Sequence, residues 1–470
     1  MPRVARRPLR RLPTRRHPIA RSGPDGFPRD PTRFRHQKTR AGFEALRHVL
    51  SRDGQDLATV PAFLEAATFL DGADDAALDH AWSDPLAYYL LRLTYDLYRG
   101  VRGGGALPPL AAAYADAHGA DATRAFERVL ADWQLLSVSL AVAEQRDLEL
   151  PVPLEVPRRT ALPGLDLVLE ASAVVDAVKD GVPQHAGSPT PVVRCPTIEV
   201  GALRVRMLPD LFMAPGHVEG LPGLDYQGEH RDVVRDAYAL VRDVLPDTFA
   251  KMAASCRVLA LKPYAASNFV NRTHSYFPGG AMLSFVSNPY ELADKLVHEW
   301  AHDWLFAFEE GGAFLADGDE AWAERHYSPW REGPRSAQGL LHAVYVHAHV
   351  WRLWRALLGA ALDGDTAELA ADRLIRIALQ VQVGLRQIRR VAPLTERGGV
   401  LVGELQAEAD AFDVECAELG LGPDVPARLV TVEGAVAPET DADGVPLTVG
   451  ASVEAHAREG GGLDVVVGAE

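Results

Sequence analysis

The chain has 470 residues, too many for one small domain. Its apolar share of 47% and charged share of 24% are ordinary for a protein with a large buried core. A formal charge of −16 conceals an asymmetry: residues 1–40 carry thirteen Arg and Lys against Asp25 and Asp30, a net +11, leaving −27 for the rest. So acidic a body excludes a general nucleic-acid binder, and no run of eighteen apolar residues predicts a membrane span.

The first forty residues read as a basic, solvated and disordered arm, able to touch an acidic partner or the chain's own body, and they lack the apolar stretch of a secretory signal. Helical periodicity then marks Ala41–Ser51, Val60–Leu70, Asp75–Val101 and Ala122–Arg146, separated by Gly, Pro and Asp breakers, within a helical region 41–150. A β-rich connecting region spans 151–215, with short strands expected at Ile198–Val200 and Leu203–Met207. Region 216–421 is read as catalytic, with a helix over 231–255 and strands at Arg257–Leu261 and Ala281–Val286. Further helices are expected at 289–310, 319–325, 336–360, 365–391 and 401–420, and the tail 422–470 has room for a strand or two. Cys195, Cys256 and Cys416 are scattered and odd in number. They suit buried apolar positions in a reducing, cytoplasmic setting better than a disulfide framework or a cysteine zinc site.

The chemistry concentrates at His298-Glu299-Trp300-Ala301-His302. Histidines four apart share one face of a helix, so both imidazoles can reach one ion with Glu299 beside it. Asn288-Pro289-Tyr290-Glu291 is a helix start: an N-cap, a proline at the first helical position and a glutamate at the third. Leu292, Leu296, Trp300 and Trp304 then recur every four residues as a core face. Glu309-Glu310-Gly311-Gly312 is the expected stop.

Two histidines leave a metal site incomplete, and two completions stand open. Glu320 and Glu324 resemble the carboxylate helix of gluzincin peptidases, with zinc bound and Glu299 as general base. The other completion is His342, flanked by Leu340-Leu341 and Val344-Tyr345 and so expected to be buried with a partner. On a helical wheel His349, seven residues on, shares the face of His342, and His347 points elsewhere.

Tyr327-Ser328-Pro329-Trp330-Arg331-Glu332-Gly333-Pro334-Arg335, followed by Gly339-Leu340-Leu341-His342-Ala343-Val344-Tyr345, resembles the bacterial HExxH-motif peptide-modification proteins over residues 280–360. These are iron- and 2-oxoglutarate-dependent peptide β-hydroxylases that act on ribosomally made precursor peptides. Ser336-Ala337 where a proline is expected, and Ala343 where glycine is common, depart from that pattern. The resemblance implies His298, His302 and His342 as ligands of Fe(II), with Glu299 in the immediate shell. Three protein ligands leave positions for a bidentate 2-oxoacid and dioxygen. The distal carboxylate of 2-oxoglutarate calls for an arginine fork, Arg331 first and Arg335 second, and Trp330 is placed to shield the site. A zinc metallopeptidase, and a non-catalytic peptide-binding partner with a structural metal, are the competing readings. The expected fold is mainly α with a small β component, built on a zincin-like strand-plus-HExxH-helix core. Neither the target residue nor the oligomeric state is legible.

Overall fold

The computed structural model describes residues 31–54, 56–156, 159–208, 228–264, 271–316, 326–330, 334–358, 360 and 364–418, with short strands between 430 and 468. The fold is mainly α with a small β component. Its described residues fall into two compact units: one holds 31–235 and 252–287, the other 236–251 and 288–468. Residues 1–30, and with them most of the basic arm, lie outside the description.

Helix α1 (Pro31–Asp53) starts ten residues earlier than the apolar pattern suggests. The added turns bury Arg35 and Thr39 on the same face as Phe43, Leu46 and Leu50, so a stripe at helical spacing runs the length of the element. Next come α2 (Val60–Leu70), α3 (Asp75–Trp82), α4 (Pro85–Gly103), α5 (Pro109–Ala117), α6 (Ala122–Asp132) and α7 (Gln134–Glu144). The expected helix 75–101 breaks at Asp84, whose carboxylate caps Leu86 N at 2.9 Å, receives Gly164 N at 2.7 Å, and pairs with buried Arg206. An N-cap followed by proline restarts the helix here. The second long segment breaks at Trp133. Its indole donates to Thr94 Oγ1 at 2.9 Å and packs 4.9 Å from Phe43, in the centre of this unit's core.

The β component of this unit is three small sheets. β1 (Leu148–Val156), β2 (Thr160–Ala161), β3 (Leu167–Leu169), β4 (Ala173–Lys179), β5 (Val182–His185), β6 (Ser188–Pro189) and β7 (Val192–Arg194) pair antiparallel, in the orders β1-β4-β5-β6 and β2-β3-β7. β8 (Thr197–Val200) and β9 (Leu203–Met207) are the two expected strands and pair as a hairpin turning on Gly201, with a left-handed φ of 53°. Helices α8 (Gly228–Val244) and α9 (Pro246–Ser255) separate it from β10 (Val258–Lys262), β11 (Asn271–Thr273) and β12 (Gly280–Ser284). The sheet order is β11-β12-β10-β9-β8, with β10 parallel to both β9 and β12 and buried along its whole length. Cys195 is buried in this unit, where burial pushes its thiol up to about 11 and leaves it inert.

In the second unit, α10 (Pro289–Glu310), α11 (Ala337–Leu358), α12 (Gly364–Val391) and α13 (Glu396–Glu418) succeed one another. α11 packs against both α10 and α12, and α13 covers α12. α11 is buried almost all round, from Ala337 to Leu357. Asp294 ties the three central helices, accepting from Trp354 Nε1 at 2.7 Å and from Arg373 Nε at 2.9 Å. The tail adds short antiparallel strands, β13 (Val430–Thr431), β14 (Glu439–Thr440), β15 (Pro446–Leu447), β16 (Ser452–Ala457) and β17 (Leu463–Gly468). Among the described residues, no helix is long and apolar enough to cross a membrane.

Candidate metal centre

β12 precedes α10 in the chain as the strand-plus-helix reading expects, although strand and helix belong to different compact units. The bounds of α10 agree with the sequence reading. Asn288 Oδ1 receives Tyr290 N at 2.9 Å and Glu291 N at 3.4 Å, and Pro289 fills the first helical position. At the other end Gly311 closes the helix and Gly312 takes a φ of 149°, with its carbonyl receiving Arg397 Nη1 at 2.7 Å. That backbone is open to glycine alone at low cost.

With both ends fixed, α10 projects His298 and His302 to one side, their ring centroids 5.0 Å apart. α11 brings two more imidazoles to them. His342 lies 5.4 Å from His302 by ring centroid, and their Nδ1 atoms stand 3.1 Å apart. His347 meets His298 edge-on at 5.0 Å. Phe306 lies against His302 and His342, and the Trp330 indole stacks on His347 at 4.9 Å and 26°. Gly384 on α12 allows that stacking, because a β-carbon there would fall on the indole. Gln380 holds the Trp330 segment by donating to the Pro329 carbonyl at 2.8 Å.

Burial drives the electrostatics. It pushes His298 and His347 down to about 3, and His302 well below its usual range; neighbouring imidazoles and Arg335 act in the same direction on His298 and His302. The three rings are therefore neutral at pH 7, the form in which imidazole binds a metal. Glu299 is 2% exposed, on the helix that carries the histidines. Arg335 pairs its backbone with that of His326 and donates Nη1 to the Gly339 carbonyl at 3.3 Å.

Of the expected ligands, His298, His302 and His342 are thus neighbours. Arg331, Glu320, Glu324 and the helix expected at 319–325 lie outside the described residues. Among the described residues, no three His, Cys, Asp or Glu side chains are set to hold an ion together. One pair has the spacing: two nitrogens bound to one ion at about 2.1 Å stand roughly 3.0–3.4 Å apart, and His302 and His342 place theirs at 3.1 Å.

The wheel argument for His347 and His349 is corrected. His347 joins the cluster, whereas His349 turns away to Trp300, Tyr345 and Arg352 Nη1, the last at 3.1 Å. A wheel sorts residues when a helix has one buried face, and α11 is buried on nearly every side. The sequence reading also missed Glu309, which reaches His342 Nε2 at 3.1 Å. Its signal was present: eleven residues beyond His298 and seven beyond His302, Glu309 falls on their helical face. No protein-family model matches the chain, and no curated protein matches it.

Proposed function

We propose that the chain is a metal-dependent peptide-modifying oxygenase that uses Fe(II) and 2-oxoglutarate to hydroxylate a β-carbon in a ribosomally made precursor peptide. The observation that carries the reading is the meeting of His302 with His342 at 3.1 Å, which adds an imidazole from α11 to the HExxH pair. The donor types fit: imidazole suits a borderline metal such as Fe(II), and three protein ligands leave room for a two-point co-substrate. Binding would require the third imidazole to close on the ion, because among the described residues no three side chains are already set around one point.

In this reading His298, His302 and His342 hold the metal, and Glu299 orients a ligand or a bound water. When bound, iron with 2-oxoglutarate supplies the oxidising chemistry that replaces C–H by C–OH. The chain supplies the surroundings. Arg335 offers a guanidinium fork to the distal carboxylate, with Arg331 as the other candidate. Trp330 and Phe306 exclude water from the imidazole cluster. The Tyr327 and Ser328 hydroxyls and Trp330 Nε1 are buried without a hydrogen-bond partner among the described residues, and a polar group of the substrate would relieve that cost.

The test is anaerobic reconstitution with Fe(II), followed by titration with 2-oxoglutarate under visible absorption. A weak charge-transfer band that disappears in Arg335→Ala or Arg331→Ala is expected, and a +16 Da product on peptide follows from it. Tight stoichiometric zinc with no such band would overturn the oxygenase in favour of a peptidase or a structural site.

A further inference from the structure

We propose that Glu309 is a positioning residue that fixes the tautomer and orientation of His342 for metal binding, a proposal that rests on the metal reading of the cluster. Glu309 lies in the last turn of α10, on the face of His298 and His302, and its Oε1 reaches His342 Nε2 at 3.1 Å. A carboxylate only accepts hydrogen bonds, so the proton of the His342 ring sits on Nε2. Nδ1 then carries the lone pair, and Nδ1 is the atom that faces His302 at 3.1 Å. The carboxylate thereby turns the ring's basic nitrogen toward the HExxH pair and raises its basicity, as outer-shell carboxylates do for histidine ligands.

Two further observations support this arrangement. Gln338 Nε2 donates to the same Oε1 of Glu309. Gln338 and His342 are four apart, on one face of α11, so the helix presents two donors to one acceptor. Moreover, a carboxylate in the last turn of a helix opposes the helix dipole. Glu309 occupies that position with two hydrogen-bond donors from α11 in compensation, and its side chain is only 20% exposed.

The experiment is Co(II) binding to the full chain, read by its visible d–d spectrum and by metal content after dialysis. The wild type is compared with Glu309→Gln, Glu309→Ala, Gln338→Ala and His342→Ala, and each metal-free variant's melting temperature is recorded. Wild type should bind one Co(II), and His342→Ala should lose it. Glu309→Ala should weaken affinity about 10–100-fold, with an unchanged spectrum at saturation. Glu309→Gln, whose amide oxygen still accepts, should recover part of that loss, and Gln338→Ala should lose less than Glu309→Ala.

No Co(II) on the wild type would remove the metal reading itself. Wild-type binding with Glu309→Ala within twofold would remove only the role of Glu309. Complete loss in Glu309→Ala, or an altered spectrum at saturation, would make Glu309 a ligand and overturn the positioning role. Should the alanine variant fail to fold, Glu309→Gln and Gln338→Ala decide alone: affinity within twofold of wild type in both refutes the proposal.

Discussion

Mild acid should destabilise the metal-free helical unit that carries the histidines. Burial holds His298 and His347 down to about 3 and lowers His302 and His349 strongly. In the unfolded chain each returns to about 6.5. The folded state therefore binds fewer protons than the unfolded state between those values, so stability is intact above pH 6.5 and falls as the pH drops toward 3. From pH 7.5 to 5.0 each such histidine costs about 2 kcal/mol. His298 and His347 alone give about 4 kcal/mol, and His302 and His349 add to it in the same direction, against a typical total of about 5–15. Asp96 and Asp132, raised by burial, act in the opposite sense, but they belong to the other unit. Trp300, Trp304, Trp330, Trp351 and Trp354 all report on the histidine-bearing unit. Urea unfolding of chelator-treated protein, followed by tryptophan fluorescence at pH 7.5, 6.0 and 5.0, measures the effect. A His347→Leu variant should lose about 2 kcal/mol of the pH dependence. A stability change under about 1 kcal/mol between pH 7.5 and 5.0 would refute the buried, neutral cluster.

Metal content after dialysis should vanish in His302→Ala and His342→Ala and persist in Glu320→Ala and Glu324→Ala; the reverse pattern at His342 and Glu320 would favour a peptidase. Asp294→Ala strands the Trp354 indole and the Arg373 guanidinium among three helices, and should cost about 3–5 kcal/mol in urea unfolding. Asp84→Ala removes a helix cap together with the partner of buried Arg206. A loss of similar size is expected in the other unit, read by circular dichroism.

Much of the fold was legible because its signals are local. The bounds of α2 follow from apolar periodicity between breakers, those of α10 from proline and cap residues, and β8, β9, β10 and β12 from short apolar runs between breakers. What escaped was partly local and partly tertiary. The break at Asp84 has a local signal, an N-cap before Pro85, while Arg206 and Gly164, 122 and 80 residues away, hold its carboxylate in place. The start of α1 at Pro31 lies in sequence so basic that it reads as solvated, and only its burial of Arg35 and Thr39 gives that stretch a place to pack. The parallel pairing of β10 with β9 and β12 leaves no periodicity of its own.

The candidate centre divides along the same line. His298, Glu299 and His302 follow from spacing on one helix, and the structure sets His342 beside His302. Sorting His347 from His349 needed knowledge of what surrounds α11. Its buried positions run from Ala337 to Leu357 with few gaps, so no apolar stripe distinguishes inside from outside. On such a helix a polar residue must be matched one neighbour at a time. His349 is answered by Arg352, itself paired with Glu408 on α13. His342 is answered by Glu309 and His302. His347 donates Nδ1 to its own Ala343 carbonyl at 2.7 Å, and its ring stacks on the Trp330 indole. A carbonyl only accepts, so Nδ1 carries the proton and Nε2 the lone pair. Its ring also meets His298 edge-on, which makes His347 the residue whose replacement by alanine most directly separates a three-imidazole site from a four-imidazole one. Unchanged Co(II) affinity and spectrum in His347→Ala would limit the centre to the three expected histidines; a shifted d–d spectrum would add the fourth.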